Sequence, residues 1–213
     1  MKTLEIKNVY KSFGGIKALH NVSLTAQAGN ITGIIGPNGS GKSTLIDILT
    51  KIINADSGSF TNSKFARTFQ DSRLWGHMTV LDTILIAHND KIKAIEIIKK
   101  VKLDHHIHTQ ARHLSYGQRK LLEIGRAIAA EPAVLLLDEP FAGLHPETII
   151  HVKEILAEQK KKNTAIILIE HDMNIIRDLC DYVYVLDTGI NIAEGKANEV
   201  LENKEVIRAY LGK

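Results

Sequence analysis

Apolar and polar residues alternate over Leu4-Glu5-Ile6-Lys7 and again over Val22-Ser23-Leu24-Thr25, the period of strands buried on one face. Gly14-Gly15 and Gly29-Asn30 punctuate them as turns, so the first thirty residues predict an antiparallel sheet. Ile31–Ile35 is a short apolar run ending at a glycine-rich loop, after which Leu45, Ile46, Ile48, Leu49, Ile52 and Ile53 recur at helical spacing. That is strand, loop, helix. Residues 72 to about 110 are polar and rich in helix formers, with Ile92, Ile95, Ile98 and Val101 three apart. A helix is predicted from Ser115 through Leu121, Leu122, Ile124 and Ile128, with Pro132 as its stop. The continuous apolar runs Ala133–Leu137 and Thr164–Ile169 read as strands covered on both faces. Tyr182–Leu186 adds a third, and the helical segments Glu147–Gln159 and Met173–Leu179 lie between them. Strands alternating with helices predict a parallel sheet. No linker tract or repeat divides the chain, which reads as one domain with inserted subdomains.

Composition narrows the class. The chain has 213 residues, 44% hydrophobic and 24% charged, the proportions of an ordinary globular protein. A net charge of +3 is too even to suggest nucleic acid as a partner. The single cysteine, Cys180, cannot form an internal disulfide and reads as a packed small hydrophobe. The longest apolar runs fall far short of the ~20 residues that span a bilayer. Glu5 stands where a signal peptide would build its apolar stretch. The expectation is a cytoplasmic chain that does not itself cross a membrane.

Gly36-Pro37-Asn38-Gly39-Ser40-Gly41-Lys42-Ser43-Thr44 fits the phosphate-loop pattern G-x-x-x-x-G-K-[ST]. Its glycines let successive N–H groups turn toward phosphate oxygens, and the following helix adds the positive end of its dipole. Lys42 supplies a charge to the β/γ-phosphates and Ser43 a hydroxyl ligand for Mg²⁺. The strand Ala133–Leu137 then delivers Asp138 where Mg²⁺ must be held beside the phosphates, and Glu139 follows to polarise an attacking water. A nucleotide and Mg²⁺ are therefore the expected ligands.

Leu114-Ser115-Tyr116-Gly117-Gln118 precedes the helix that leads to Pro132. With the two nucleotide motifs in this order, the chain resembles the ATPase subunit of an ATP-binding-cassette (ABC) transporter. Tyr116 stands where the usual pentapeptide has glycine, a substitution that also occurs within the family. Ala66-Arg67-Thr68-Phe69-Gln70, Arg73-Leu74, Met78-Thr79-Val80, Glu139–Leu144, Leu168–Met173 and the terminal Val206–Gly212 resemble the ATPases of branched-chain amino-acid importers. The resemblance covers essentially the whole chain.

It implies an α/β phosphate-loop NTPase core with an N-terminal antiparallel β-subdomain and an inserted α-helical subdomain. Residues 1–70 and 126–213 would form the core with the β-subdomain, and 71–125 the helical part. It further implies that Phe13 stacks on adenine and that Gln70 touches Mg²⁺ or the water and reports the γ-phosphate. Ser115, Gly117 and Gln118 would contact ATP bound to a second protomer. Glu139 would be the catalytic carboxylate, and His171 would hold the γ-phosphate and the water. Leu74, Trp75 and Met78 would lie in the groove that receives a membrane subunit, the alternative for Trp75 being a place in the core. His145, where many members carry Asp, implies that communication between the two sites differs in detail. The partners implied are a second ATPase protomer, permease subunits and, indirectly, a solute-binding protein, with the chain peripheral on the cytoplasmic face of the membrane.

The bare residues support part of this. Ser115 is a good N-cap, and a second anion-binding helix start is useful if it covers a neighbour's nucleotide. Lipopolysaccharide-export and urea or amide-uptake ATPases are the transporter alternatives, and Glu170-His171-Asp172-Met173 favours the importer. A phosphate-loop small-molecule kinase would lack Ser115–Gln118. A DNA-repair ABC ATPase would need a coiled-coil arm, for which the length leaves no room. His105-His106-Ile107-His108, with His113, reads as a solvated loop rather than a metal site. Lys160-Lys161-Lys162 reads as favourable charge at a helix C-terminus.

Overall fold

The computed structural model describes residues 3–211; Gly212, the last residue of the stretch Val206–Gly212, lies outside them. The chain opens with β1 (Thr3–Phe13), β2 (Ile16–Gln27) and β3 (Ile31–Ile35), followed by α1 (Lys42–Leu49), β4 (Ser57–Phe60) and β5 (Phe65–Arg67). A helical stretch follows: α2 (Val80–Ala87), α3 (Lys91–Lys100) and α4 (Tyr116–Ala129). The chain then alternates through β6 (Val134–Asp138), α5 (Pro146–Lys161), β7 (Ala165–Ile169), α6 (Met173–Leu179), β8 (Tyr182–Asp187) and β9 (Ile190–Gly195), and ends in α7 (Ala197–Leu201) and α8 (Lys204–Leu211).

Two sheets result. The antiparallel sheet runs β2-β1-β4, and the larger one β5-β6-β7-β3-β8-β9. In the larger sheet every neighbouring pair is parallel except β8 and β9. The strands named from the sequence are parallel as expected, and the antiparallel β9 is added at the edge by a hairpin. Thr188 and Gly189 both take positive φ, 45° and 80°, the geometry of a two-residue hairpin turn. A Cβ on Gly189 would stand 2.7 Å from the Ala18 carbonyl oxygen, so this turn seats closely against β2.

Alternation in the buried strands assigns the two faces. Ile31, Ile35, Leu135, Leu137, Ile166 and Leu168 pack toward α4, α5 and α6. Ile34, Leu136, Ile167 and Ile169 pack toward α1 and the antiparallel sheet. β3, β6 and β7 are buried at every position, as expected of strands covered on both sides.

Two helical readings change. α1 ends at Leu49 instead of continuing through Ile53: the Thr50 hydroxyl bonds back to the Ile46 carbonyl at 2.8 Å, and Lys51 turns to φ 58°. Ile52 is consequently exposed. In α3 the buried face is Ala94 and Ile98, followed by Val101 at the C-cap, while Ile92 is 72% exposed. A strict three-residue spacing drifts off a 3.6-residue helix face. The 125/126 subdomain boundary falls inside α4.

Candidate active site

Gly36–Thr44 joins β3 to α1. Gly41, the N-cap of α1, takes φ 104°, and a Cβ there would stand 2.6 Å from the Ala18 carbonyl oxygen. Glycine is what this turn admits. It brings no side-chain cap, so the first N–H groups of α1 remain available to an outside acceptor. Lys42 curls back into the loop: its Nζ donates to Gly36 O at 2.8 Å and to Pro37 O at 2.9 Å, and reaches Ser40 Oγ at 3.4 Å. Burial pushes the ammonium pKa down, while the fields of Glu139 and Asp138 act to raise it. Asn38 through Thr44 wall a cavity of about 530 Å³ together with Ala18, Gln70, Asp138, Glu139, Ile169 and His171.

The opposite wall comes from the ends of parallel strands, the usual place for ligands in such sheets. Asp138 closes β6. Burial pushes its carboxyl pKa up, opposed by a hydrogen bond from Arg67 Nη2 at 3.2 Å. The other terminal nitrogen of Arg67, Nη1, pairs with Asp47 on α1. Glu139 leaves the strand at φ 47°, a left-handed conformation that costs a non-glycine residue roughly 1–3 kcal/mol. Its amide still donates to Ile169 O at 3.0 Å. Gln70 Nε2 donates to Glu139 Oε2 at 3.1 Å, and His171 Nε2 stands 2.8 Å from Oε1. One carboxylate is thus held between side chains from two different loops. The Ser43 hydroxyl and the Asp138 carboxylate wall the same cavity, donors suited to Mg²⁺, which takes one or two protein oxygens and completes its shell with phosphate and water.

The remaining sequence-derived residues lie elsewhere. Phe13 is 48% exposed, with Lys11 Nζ 5.2 Å from its ring centre, and stands apart from the cavity wall. Ser115, Gly117 and Gln118 also lie off that wall. Ser115 Oγ accepts from the Gln118 amide at 3.3 Å, and Gln118 Oε1 accepts from the Ser115 amide at 2.8 Å, closing a capping box on α4. Tyr116 lies against Gly143 in the loop after Glu139. Trp75 is 56% exposed rather than in the core. It lines a groove of about 450 Å³ with Phe65, Arg67, Phe69, Arg73, Ile86 and Arg126. Leu74 packs on the core instead, and Met78 O accepts from the Ala111 amide at 2.9 Å. His106 is not simply solvated: its Nε2 lies 2.9 Å from Gln118 Nε2. Cys180 is buried, its thiol pushed up to about 12 by desolvation. Lys160, in the last turn of α5, pairs with Asp181 at 2.8 Å. His145 is the N-cap of α5 without a side-chain capping bond.

Sequence reasoning missed two buried charges on α4. Lys120 Nζ donates to the carbonyls of Phe69 and Gln70, at 3.1 and 2.5 Å. Glu123 Oε1 accepts from the amides of Phe69 and Arg73, at 3.2 and 3.4 Å. Together they fix the backbone of the Gln70 loop. The available signal was two charges three residues apart, Lys120 and Glu123, among the apolar positions Leu121, Leu122 and Ile124.

Comparison with known proteins bears on this geometry. The family model described as ABC transporter matches residues 19–142, and that described as branched-chain amino acid ATP-binding cassette transporter matches residues 191–213. A protein of Archaeoglobus fulgidus, described as a branched-chain amino acid transport ATP-binding protein, LivG, is 36% identical over 247 residues, covering 100% of this chain and 96% of that one. The ADP conformation of an ATP-binding cassette of an ABC transporter matches with a TM-score of 0.89 at 34% identity, covering 100% of both chains. A dimeric post-hydrolysis cassette bound to ADP and Pi matches with a TM-score of 0.82 at 25% identity, covering 91% of this chain and 98% of that one.

Proposed function

The chain belongs to the ABC transporter ATP-binding family, and from that premise we propose that it is the ATP-hydrolysing subunit of an importer of branched-chain amino acids. It works as a pair of chains bound to permease subunits at the cytoplasmic face of the membrane. No helix among the described residues is long and apolar enough to cross a bilayer, so the transport path belongs to the permease. The observation that carries the reading is convergence. The uncapped start of α1, Lys42, Asp138, Glu139, Gln70 and His171 come from distant parts of the chain and wall one cavity.

Their chemistry follows from position. The α1 amides and Lys42 hold the triphosphate, with Lys42 exchanging its loop carbonyls for phosphate oxygens. Mg²⁺, held by Ser43 and Asp138 with Gln70 nearby, would neutralise charge on the β- and γ-phosphates. Glu139, aimed by Gln70 and His171, polarises the attacking water, and His171 steadies the γ-phosphate. Phe13 stacks on the adenine. Ser115, Gly117 and Gln118 stand outside their own chain's cavity and meet the nucleotide of a second chain. Trp75 lines the groove that receives the permease.

Glu139→Gln is expected to bind Mg·ATP and accumulate as a dimer on size-exclusion chromatography; a monomer at saturating Mg·ATP overturns the two-chain arrangement. Cells carrying Lys42→Ala in place of this chain should lose ATP-driven uptake of leucine, isoleucine and valine. Unchanged uptake of all three overturns the solute assignment and leaves the ATPase reading standing.

A further inference from the structure

Arg67 occupies an unusual position for a permanently charged group. It ends the edge strand β5, its side chain is 9% exposed, and its guanidinium lies between two carboxylates from different elements. Nη1 pairs with Asp47 on α1, and Nη2 donates to Asp138 Oδ2 at 3.2 Å. Nε is buried without a partner. The guanidinium carbon lies 4.5 Å from the centre of the Phe69 ring, and that of Arg73 lies 4.2 Å from the same centre. Arg67, Phe69 and Arg73 all wall the Trp75 groove, whereas Asp138 walls the phosphate cavity. One side chain therefore lines the groove and bonds a carboxylate that walls the cavity.

We infer that Arg67 is a positioning residue that holds the Asp138 carboxylate in the orientation needed for the metal, and that it does so from the wall of the groove. This rests on the reading of Asp138 as a metal ligand. A planar guanidinium can bridge two carboxylates with separate nitrogens, which an ammonium cannot do with the same geometry. Asp47 anchors one arm of the fork to the helix that follows the phosphate loop, so the other arm presents Asp138 in register with that loop. A ligating carboxylate held by such a partner typically loses ten- to a hundredfold in metal affinity when the partner is removed.

The test is ADP affinity of the purified chain by calorimetry, with Mg²⁺ and with EDTA, for the parent, Arg67→Met, Arg67→Lys, Asp138→Asn and the Arg67→Met/Asp138→Asn double variant. The tightening of ADP binding caused by Mg²⁺ should shrink about tenfold or more in Arg67→Met. ADP affinity in EDTA should stay within about twofold of the parent, which also reports an intact fold. Arg67→Lys should resemble Arg67→Met, and the double variant should match Asp138→Asn alone. A Mg²⁺ effect of parental size in Arg67→Met, equal losses with and without Mg²⁺, or full rescue by lysine overturns the positioning role. A Mg²⁺ effect that survives in Asp138→Asn removes the metal-ligand reading, and the role of Arg67 with it.

Discussion

α1 and α4 both begin where an anion could bind, yet they begin differently. α1 starts after Gly41 with no side-chain cap. Its loop is filled by its own lysine, which donates to two loop carbonyls. α4 starts after Ser115 with a closed capping box, its serine and glutamine satisfying each other's amides. The first helix is incomplete in a way that a phosphate completes within the same chain. The second already has its Ser115 and Gln118 amides paired by side chains, so a ligand that takes those groups must displace an existing hydrogen bond, as the nucleotide of another chain would on the proposed reading. On that reading, open and partly closed helix starts separate a primary site from a conditional one.

The sharpest way to break this contrast is to disable turnover without touching either helix start. Glu139→Gln should slow ATP hydrolysis by roughly 10²–10⁴-fold, the range of a positioned general base, measured by phosphate release; a parental rate removes Glu139 from the chemistry. Next in size is the loss of the open start. In Lys42→Ala the stabilisation by ATP, about 2.7 kcal/mol at a hundredfold excess over Kd, should vanish from the thermal shift. Retention of the shift would mean that Lys42 is not what holds the phosphates.

The closed start should respond more gently. Ser115→Ala should cost about 1 kcal/mol of stability through the lost cap and leave ATP affinity of the single chain unchanged, while weakening the ATP-held dimer formed in the Glu139→Gln background. A fall in single-chain affinity would place Ser115 in its own chain's site and erase the distinction. The smallest effect concerns the scaffold under α1. Cys180 Sγ would stand 2.9 Å from a Cβ on Gly33 in β3, and its thiol is pushed up to about 12. Thiol reagent at pH 8 should therefore label the native chain slowly, and quickly only after denaturation. Fast native labelling would show that the strand feeding the phosphate loop is not rigidly packed.

Legibility followed the range of the interactions involved. β3, β6 and β7 were readable because strands buried on both faces need uninterrupted apolar runs. The hairpin β9 was not read: it lies at the sheet edge, and its Ile190-Asn191-Ile192-Ala193 run borders on a turn rather than a helix. β5 has only three residues and is defined by pairing with β6, from Phe65↔Val134 to Arg67↔Leu136. Within the site, the phosphate loop was plain because its chemistry lies in consecutive residues. Arg67, by contrast, appeared in the sequence as one letter of a family-like stretch, with nothing local to join it to Asp47 or Asp138.

The sequence alone determined the elements whose causes are local: the glycine loop that must curl, the serine that must cap, the strands that must be apolar throughout, and the acids that must end one of them. Tertiary structure decided which distant charges meet. Arg67 bridges Asp47 and Asp138, Lys120 and Glu123 hold the Gln70 loop, and Gln70 and His171 meet on Glu139. The reason is physical: a backbone conformation depends on neighbours a few residues away, whereas a buried charge depends on whichever partner folding brings within about 3 Å.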